Sequence, residues 1–305
     1  MYFLSEQEKR LLLRRLLPQA RDRGIAEELR GWNWDKPPLS PIYDVKLGIF
    51  EIAGKYCPTG RDLYLRRVLD VKTPPTQAMI EGAALHRLLS EVFVQSKRVM
   101  YNQGTACLTE LKSLPLPALS GLLGGNDAGS VEAAELTRKM NVLWEFERER
   151  ILARVQEILT RQPHIGVDAL VALALPMTVE QRLDGSFLGL SAHLSADAFT
   201  FSEPMVVDIK FGKPHKFHRL GTTGYGLVME SLYEYPINVG CVVYASFHRE
   251  NLSVERDFHV IDDELRQWFV EERDERMRMV AEEIDPGVAA DCPRYCGYWK
   301  ECHPE

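Results

Sequence analysis

In the run Val206-Val207-Asp208-Ile209-Lys210 an acid and an amine stand two residues apart behind apolar neighbours. The apolar lead-in predicts a buried strand, and alternation along a strand puts Asp208 and Lys210 on one face. Upstream, Asp197 stands among Ala196, Ala198 and Phe199 in the adjacent predicted strand, so hairpin pairing brings it beside Asp208. Two neighbouring carboxylates repel, and each raises the other's pKa unless a cation lies between them. Magnesium suits such a place, since it takes one or two carboxylates and keeps positions for water and phosphate oxygens. A metal that polarises a phosphate and activates water, with Lys210 orienting that water or neutralising the phosphorane, suffices for phosphodiester hydrolysis. Taken alone, Asp-x-Lys is common as a surface ion pair, and Asp197 in an otherwise apolar strand turns the reading toward a metal. His86, on a predicted helix, could complete the metal shell or sit beside the metal's water; the plainer reading is a hydrogen-bonded core residue.

A second chemistry lies in the tail, where Cys292, Cys296 and Cys302 follow one another closely in a stretch punctuated by Pro293 and Gly297. Three thiols leave a tetrahedral site one ligand short. Cys57, in the short Pro-containing turn Gly54-Lys55-Tyr56-Cys57-Pro58, is the natural fourth, whereas Cys107 lacks such flanks and Cys241 lies in an apolar strand run. Four thiolates hold either zinc or an iron-sulfur cluster. Zinc usually pairs two short hooks, and one distant cysteine with a three-cysteine tail fits it less well than it fits a cluster. Either metal would close most of the chain into one loop and stabilise the fold by on the order of 5 kcal/mol. Tyr295, Tyr298 and Trp299 are expected to shield it.

The elements that must position these groups belong to a chain of 305 residues, 45% hydrophobic, enough for a sizeable core without disulfides. The longest apolar run, Ala169 to Met177, is too short for a membrane span and is broken by Pro176. The amino terminus has no basic-then-apolar signal pattern, which points to the cytoplasm. There, clustered cysteines bind metals or react rather than pair. The net charge of -7 argues against nucleic acid, but a groove responds to local charge. Basic residues gather at Lys9 to Arg23, Arg61 to Lys72 and Lys210 to Arg219, while much of the acid lies in Asp262 to Asp285.

Periodicity predicts helices over residues 5–30, 76–93 and 131–160, with a glycine- and proline-rich loop over 115–130. Strand-like runs follow at 169–183, 186–201 and 204–211, separated by turns at Asp184-Gly185 and Ser202 to Pro204. A helix is expected at 224–235, strands at 238–248 and 253–260, and a charged helix at 262–283. That order outlines an α/β sandwich. The chain divides into an N-terminal helical arm and linker (1–56), a helical region with Cys57 and His86 (57–165), a catalytic core (166–284) and a cysteine tail (285–305).

Taken together, the residues resemble the RecB-like nucleases of the PD-(D/E)xK superfamily, in particular the CRISPR-associated exonucleases of the Cas-four family, over most of the chain. Gly82-x-x-x-His86 resembles the family's helical histidine motif, Asp197 its second-strand aspartate, and Asp208-Ile209-Lys210 its acid-x-lysine motif. Cys57 with Cys292, Cys296 and Cys302 looks like its split cluster, and size with Gly31-Trp32-Asn33-Trp34 brings the archaeal Csa-one subgroup nearest. The resemblance implies an α/β core with a mixed central sheet flanked by helices. It implies catalytic roles for Asp197, Asp208, Lys210, His86 and Tyr225, and metal contacts at His86, Asp197, Asp208 and Ile209. It also implies an iron-sulfur cluster, 4Fe–4S rather than 2Fe–2S, and magnesium or manganese. The implied activity is exonuclease action on single-stranded DNA ends during CRISPR spacer acquisition, with the integrase subunits as partners.

Two positions depart from the pattern. The family's Gln-x-x-x-Tyr motif has Tyr225 here, but Gly221 in place of glutamine, for which His218 or Arg219 would have to substitute. The Cys292-x3-Cys296 step is wider than the common two-residue spacer. The runner-up reading is a non-catalytic, cluster-bearing DNA-binding subunit of the integrase complex. A third is a zinc-stapled structural protein in which Asp197, Asp208 and Lys210 form an ion pair.

Overall fold

Alternation along Met205–Lys210 makes the expected strand: Met205, Val207 and Ile209 enter one core while Val206 enters the other. The computed structural model describes residues 1–122, 133–200 and 204–304. Its five strands, β1 Thr178–Leu183, β2 Leu194–Thr200, β3 Met205–Lys210, β4 Val239–His248 and β5 Asn251–Val260, form one sheet in sequence order. All neighbours are antiparallel except β3 and β4, which run parallel, so the sheet is mixed.

A parallel pair cannot be joined by a tight turn. The crossover here is the helix Arg219–Tyr233, called α10 below after the helices that precede it. These are α1 Glu6–Leu11, α2 Leu17–Arg23, α3 Ile49–Ala53, α4 Arg61–Arg67, α5 Gln77–Gln103, α6 Leu108–Lys112, α7 Leu119–Leu122, α8 Ala133–Arg161 and α9 Val167–Ala174. After β5 come α11 Asp263–Ala281 and the short α12 Trp299–Cys302. Side-chain caps start the two helices that frame the sheet: Thr76 accepts from the Met79 N–H ahead of α5, and Asp262 from the Leu265 N–H ahead of α11.

The sheet separates two cores. On one face Ala198, Val207, Ile209 and Val243 pack against α5, α8 and α9; on the other Phe199 and Val206 pack against α3, α10 and α11. A buried charge network holds the second layer. Glu230 of α10, fully buried, accepts from Arg266 at 2.7 and 2.9 Å, from Arg30 at 2.9 Å and from the Gly31 N–H at 2.9 Å. Gly31 must be glycine, because a Cβ there would lie 2.2 Å from the Leu227 carbonyl oxygen. This contact docks the segment around Trp32 onto α10, the helix that faces Asp208.

Several expected boundaries moved. The run read as a strand from residue 169 is a helix to Ala174, and β1 begins only at Thr178. The short apolar stretch docks on α5 and α8, and packing rather than β propensity decides its form. The next run makes a tight turn at Ser186–Leu188 before β2 starts at Leu194. The N-terminal helix ends at Arg23 rather than 30 and contains a π-helical stretch, Leu12–Leu16. The second helix runs on to Gln103, and α10 starts five residues early. The expected loop from residue 123, the helix start at 131–132, the strand end at 201 and the turn at 202–203 lie outside the described residues.

Candidate active site and thiol cluster

Asp208 sits near the end of β3, 6% exposed, with Lys210 next to it on the same face. The Lys210 ammonium is 3.0 Å from Oδ1, where it donates a hydrogen bond, and 2.9 Å from Oδ2, where the angle does not allow one. Oδ2 is therefore a buried carboxylate oxygen without a hydrogen bond. Burial opposes the Lys210 charge, but Asp208 and Asp197 outweigh it and hold the ammonium's pKa above the usual lysine range. The amine stays charged across the physiological range.

Asp197, on β2, continues the register that pairs Ala198 with Val207 and so stands opposite Asp208. Its Oδ2 accepts the Ile209 N–H at 2.7 Å, so the backbone of the Asp208 strand fixes the second carboxylate. Burial and the like charge of Asp208 push Asp197 up to about 6, against His86, Lys210 and the Ile209 N–H. His86 comes from α5 on the opposite layer, with Nδ1 3.5 Å from Asp197 Oδ2 and its ring edge-on to Phe211 at 5.1 Å. The Ile209 side chain is in the core, so only its backbone faces the acids.

Tyr225 of α10 donates its hydroxyl to the Ser195 carbonyl at 2.6 Å. Burial first, then Asp197 and Asp208, hold its pKa well above the usual phenol value. Gly221, one turn earlier, faces the acids: a Cβ there would have Asp208 Oδ2 as its nearest neighbour at 4.0 Å. The missing glutamine thus leaves a gap beside this carboxylate oxygen. Neither expected substitute reaches into it freely. His218 is 4% exposed and bonded through Nε2 to the Tyr56 hydroxyl (2.9 Å) and through Nδ1 to the Tyr244 hydroxyl (3.1 Å). Burial, then Lys210, lowers its pKa to about 4. Arg219 is committed to Asp257 by two hydrogen bonds of 2.7 Å.

A cleft of about 940 Å3 opens from His86 and Asp197 and is also lined by Arg87, Glu180, Arg182 and His193. Sequence reasoning missed Glu180. It lies on β1 opposite Asp197, between the pairs Val179–Ala198 and Gln181–Ala196, and accepts the Ser195 hydroxyl at 2.9 Å. Its φ is +50°, a left-handed conformation that costs a non-glycine residue about 1 kcal/mol or more. Such strain gathers at functional sites, and no single-residue sequence signal reports it.

The chemistry of the acid set fits a divalent cation. Two carboxylates face each other, the buried Asp208 Oδ2 has the Lys210 ion pair but no hydrogen bond, and Lys210 pairs with Asp208 rather than with Asp197. Among the described residues no three His, Cys, Asp or Glu side chains are close enough to cage an ion by themselves. Asp197 and Asp208 would supply only part of a coordination shell, which magnesium ordinarily completes with water and phosphate oxygens.

The cysteine neighbourhood is assembled by two tethers. Arg61 makes hydrogen bonds to both oxygens of Asp285, from 2.9 to 3.3 Å, and the Thr59 hydroxyl donates to the Gly287 carbonyl at 2.9 Å. They bind the Cys57 turn, between α3 and α4, to the start of the tail. Burial, then Cys296, Cys302 and Cys57, raises the Cys292 thiol pKa, although among the described residues no three of these thiols are close enough as they stand to hold an ion. Cys302 is raised by burial and the other thiols against Arg61. Thiols that repel as thiolates are a donor set that a cationic centre would satisfy. Cys107 and Cys241 are fully buried in the core. Tyr295 does not shield the tail as expected, being 85% exposed, while Trp299 packs on His303 at 4.0 Å.

A family model described as CRISPR-associated exonuclease Csa1 matches residues 1–305. Two curated relatives bear that same description. One, from Saccharolobus solfataricus, is 30% identical over 304 residues, covering 99% of this chain and 100% of the relative. The other, from Thermoproteus tenax, is 30% identical over 291 residues, 95% of this chain and 96% of the relative. No solved structure matches.

Proposed function

The chain belongs to the CRISPR-associated exonuclease Csa1 family, and from that premise we propose that it hydrolyses DNA from single-stranded ends with Asp197, Asp208 and Lys210 around a magnesium or manganese ion. The observation that carries the reading is the facing carboxylate pair, in which the buried Asp208 Oδ2 has the Lys210 ion pair but no hydrogen bond, while Asp197 is pushed up to about 6. We read the mixed sheet with its helical layers as a PD-(D/E)xK core of the RecB type.

Each residue then has a task. A divalent cation bound by Asp197 and Asp208 would polarise the scissile phosphate and favour ionisation of the attacking water. Lys210, held charged by both acids, sits where negative charge grows on the phosphate oxygens. The Ile209 N–H keeps Asp197 aimed at the site, so its carboxylate need not be ordered when substrate arrives. His86 lies beside Asp197 at the mouth of the cleft, placed to orient water or take up a proton. Tyr225 ties α10 to β2 through Ser195, which fixes the gap at Gly221 against the acids.

The four thiols of Cys57, Cys292, Cys296 and Cys302 would hold a 4Fe–4S cluster that staples the tail to the α3–α4 turn. Partnership with CRISPR integrase subunits in the cytoplasm completes the proposal; no helix among the described residues is long and apolar enough to cross a membrane. The test is an assay of end-labelled single-stranded DNA with magnesium and with a chelator. Loss of label as short products with magnesium alone supports the reading. Intact DNA with magnesium or manganese, from folded protein, defeats it and leaves a non-catalytic DNA-binding subunit.

A further inference from the structure

Rings that build a core are hidden from water, and those beside Lys210 are not. Tyr56 is 64% exposed, His215 is exposed and Phe217 is half-buried. The three form one body: His215 and Phe217 stack at 4.8 Å with 14° between planes, and Tyr56 stands edge-on to both, at 5.1 Å from Phe217 and 5.9 Å from His215. Edge-on and stacked contacts at these distances are favourable, and Phe217 also packs against the core of the α10 layer, so the cluster holds its shape while Tyr56 and His215 stay exposed.

The cluster is also anchored. The Tyr56 hydroxyl bonds buried His218, which is held in turn by Tyr244 on β4. A ring fixed in the free protein leaves less ordering cost for a ligand to meet. The exposed charges next to His215 in the chain are basic. Lys213 and Lys216 bracket His215 in the chain, both exposed and neither paired with an acid among the described residues. His215 and Phe217 follow Lys210 closely in the chain, on the segment between β3 and α10, and the charges of Lys210 and Asp208 act on the Tyr56 hydroxyl.

Exposed, pre-fixed rings interleaved with unpaired lysines beside a phosphate-processing pair match the chemistry of one ligand class. A single strand offers free base faces for stacking and phosphates for the lysines. A duplex spends its base faces on itself and offers only phosphates.

We propose that Tyr56, His215 and Phe217 form a stacking platform for unpaired bases next to the scissile phosphate, with Lys213 and Lys216 gripping the adjoining backbone of a single DNA strand. The proposal rests on reading Asp208 and Lys210 as a phosphodiester-cleaving site. It assigns strand preference to the protein surface between α3 and α10 rather than to the acids, and it gives the loop after β3 a second role besides charge.

Binding can be measured without cleavage. Full-length protein in EDTA is titrated into a labelled oligo(dT) strand and into an abasic strand of equal length and charge, with fluorescence anisotropy as readout. Wild type should bind oligo(dT) about tenfold or more tighter. Phe217→Leu, and Tyr56→Leu, should erase most of that difference while leaving the abasic affinity unchanged. Tyr56→Phe keeps the ring and should keep the preference. Lys213→Ala and Lys216→Ala should weaken both strands alike and reduce the salt slope by about 0.7 per lysine. Equal wild-type affinity for the two strands overturns the platform, as does a Phe217→Leu variant that loses both strands equally. Base preference without cleavage by any cation would sink the nuclease reading and leave the platform standing; cleavage without base preference would do the reverse.

Discussion

The Ile209 N–H donates to Asp197 Oδ2 at 2.7 Å, so one strand carries Asp208 and Lys210 and also aims the carboxylate that faces them. Because β2 and β3 are antiparallel neighbours, a one-residue slip would send Asp208 and Lys210 to the apolar face and break this bond. The site's geometry is thus set by sheet register, and register by the apolar residues of the two cores.

Lys210→Met should lower cleavage by about a hundredfold or more, since it removes the cation fixed beside Asp208. Strand binding should fall only modestly. Single-turnover cleavage and chelator-trapped binding of the same variant separate the two; a variant that cleaves normally refutes the role assigned to the amine.

Asp197 gives a pH signature. Its folded pKa, about 6, lies above its ordinary 3.8, so the fold holds this proton more tightly than the unfolded chain. The associated stability is fully present below about 3.8 and lost as pH rises through about 6. In chelator at pH 8, Asp197→Asn should therefore be more stable than wild type by about 1–3 kcal/mol. The difference should shrink toward pH 4, and magnesium should stabilise wild type but not the variant. Melting curves across pH check this, and a difference flat with pH would count against the raised pKa.

Glu180 separates strain from function. At φ +50° glycine loses nothing sterically, so Glu180→Gly should be more stable than Glu180→Ala by about 1 kcal/mol, despite alanine's usual advantage in strands. If the carboxylate serves the cleft, both variants should cut DNA more slowly than wild type. Equal melting temperatures for glycine and alanine would show that the backbone relaxes.

Cys292→Ser should abolish visible absorption of anaerobically purified protein and cost up to about 5 kcal/mol of stability. Cys107→Ala, in the core, should cost stability through its cavity while leaving the absorption intact. Colour retained in Cys292→Ser, with an unchanged melting curve, would contradict the staple.

The acid–amine strand, the long helices around His86 and Leu143, and the place of Cys241 in an apolar strand were legible from apolar period and neighbours; the burial of Cys107 was not. Val167–Ala174 was not, because a short apolar run carries no period that separates strand from helix, and its docking on α5 and α8 decides it. The start of α10 at Arg219 lies five residues before the expected one, across Gly221 and into Gly224. Gly224 is there for contact, since a Cβ would lie 2.5 Å from the Phe269 ring. Tyr56 and Glu180 gave no signal, because an exposed ring fixed by a distant histidine and a strained strand residue exist only in three dimensions. Conversely, His218 and Arg219 looked available in sequence and are tied up by Tyr56, Tyr244 and Asp257.

The most direct measurement is the rate of single-strand cleavage as manganese is titrated from zero, for wild type beside Asp208→Asn. The wild-type rate should be nil in chelator and rise to a plateau as Asp197 and Asp208 fill, while the variant, still folded at the assay temperature, stays near zero throughout. Cleavage that persists without any cation, or that rises equally in the variant, would contradict the account.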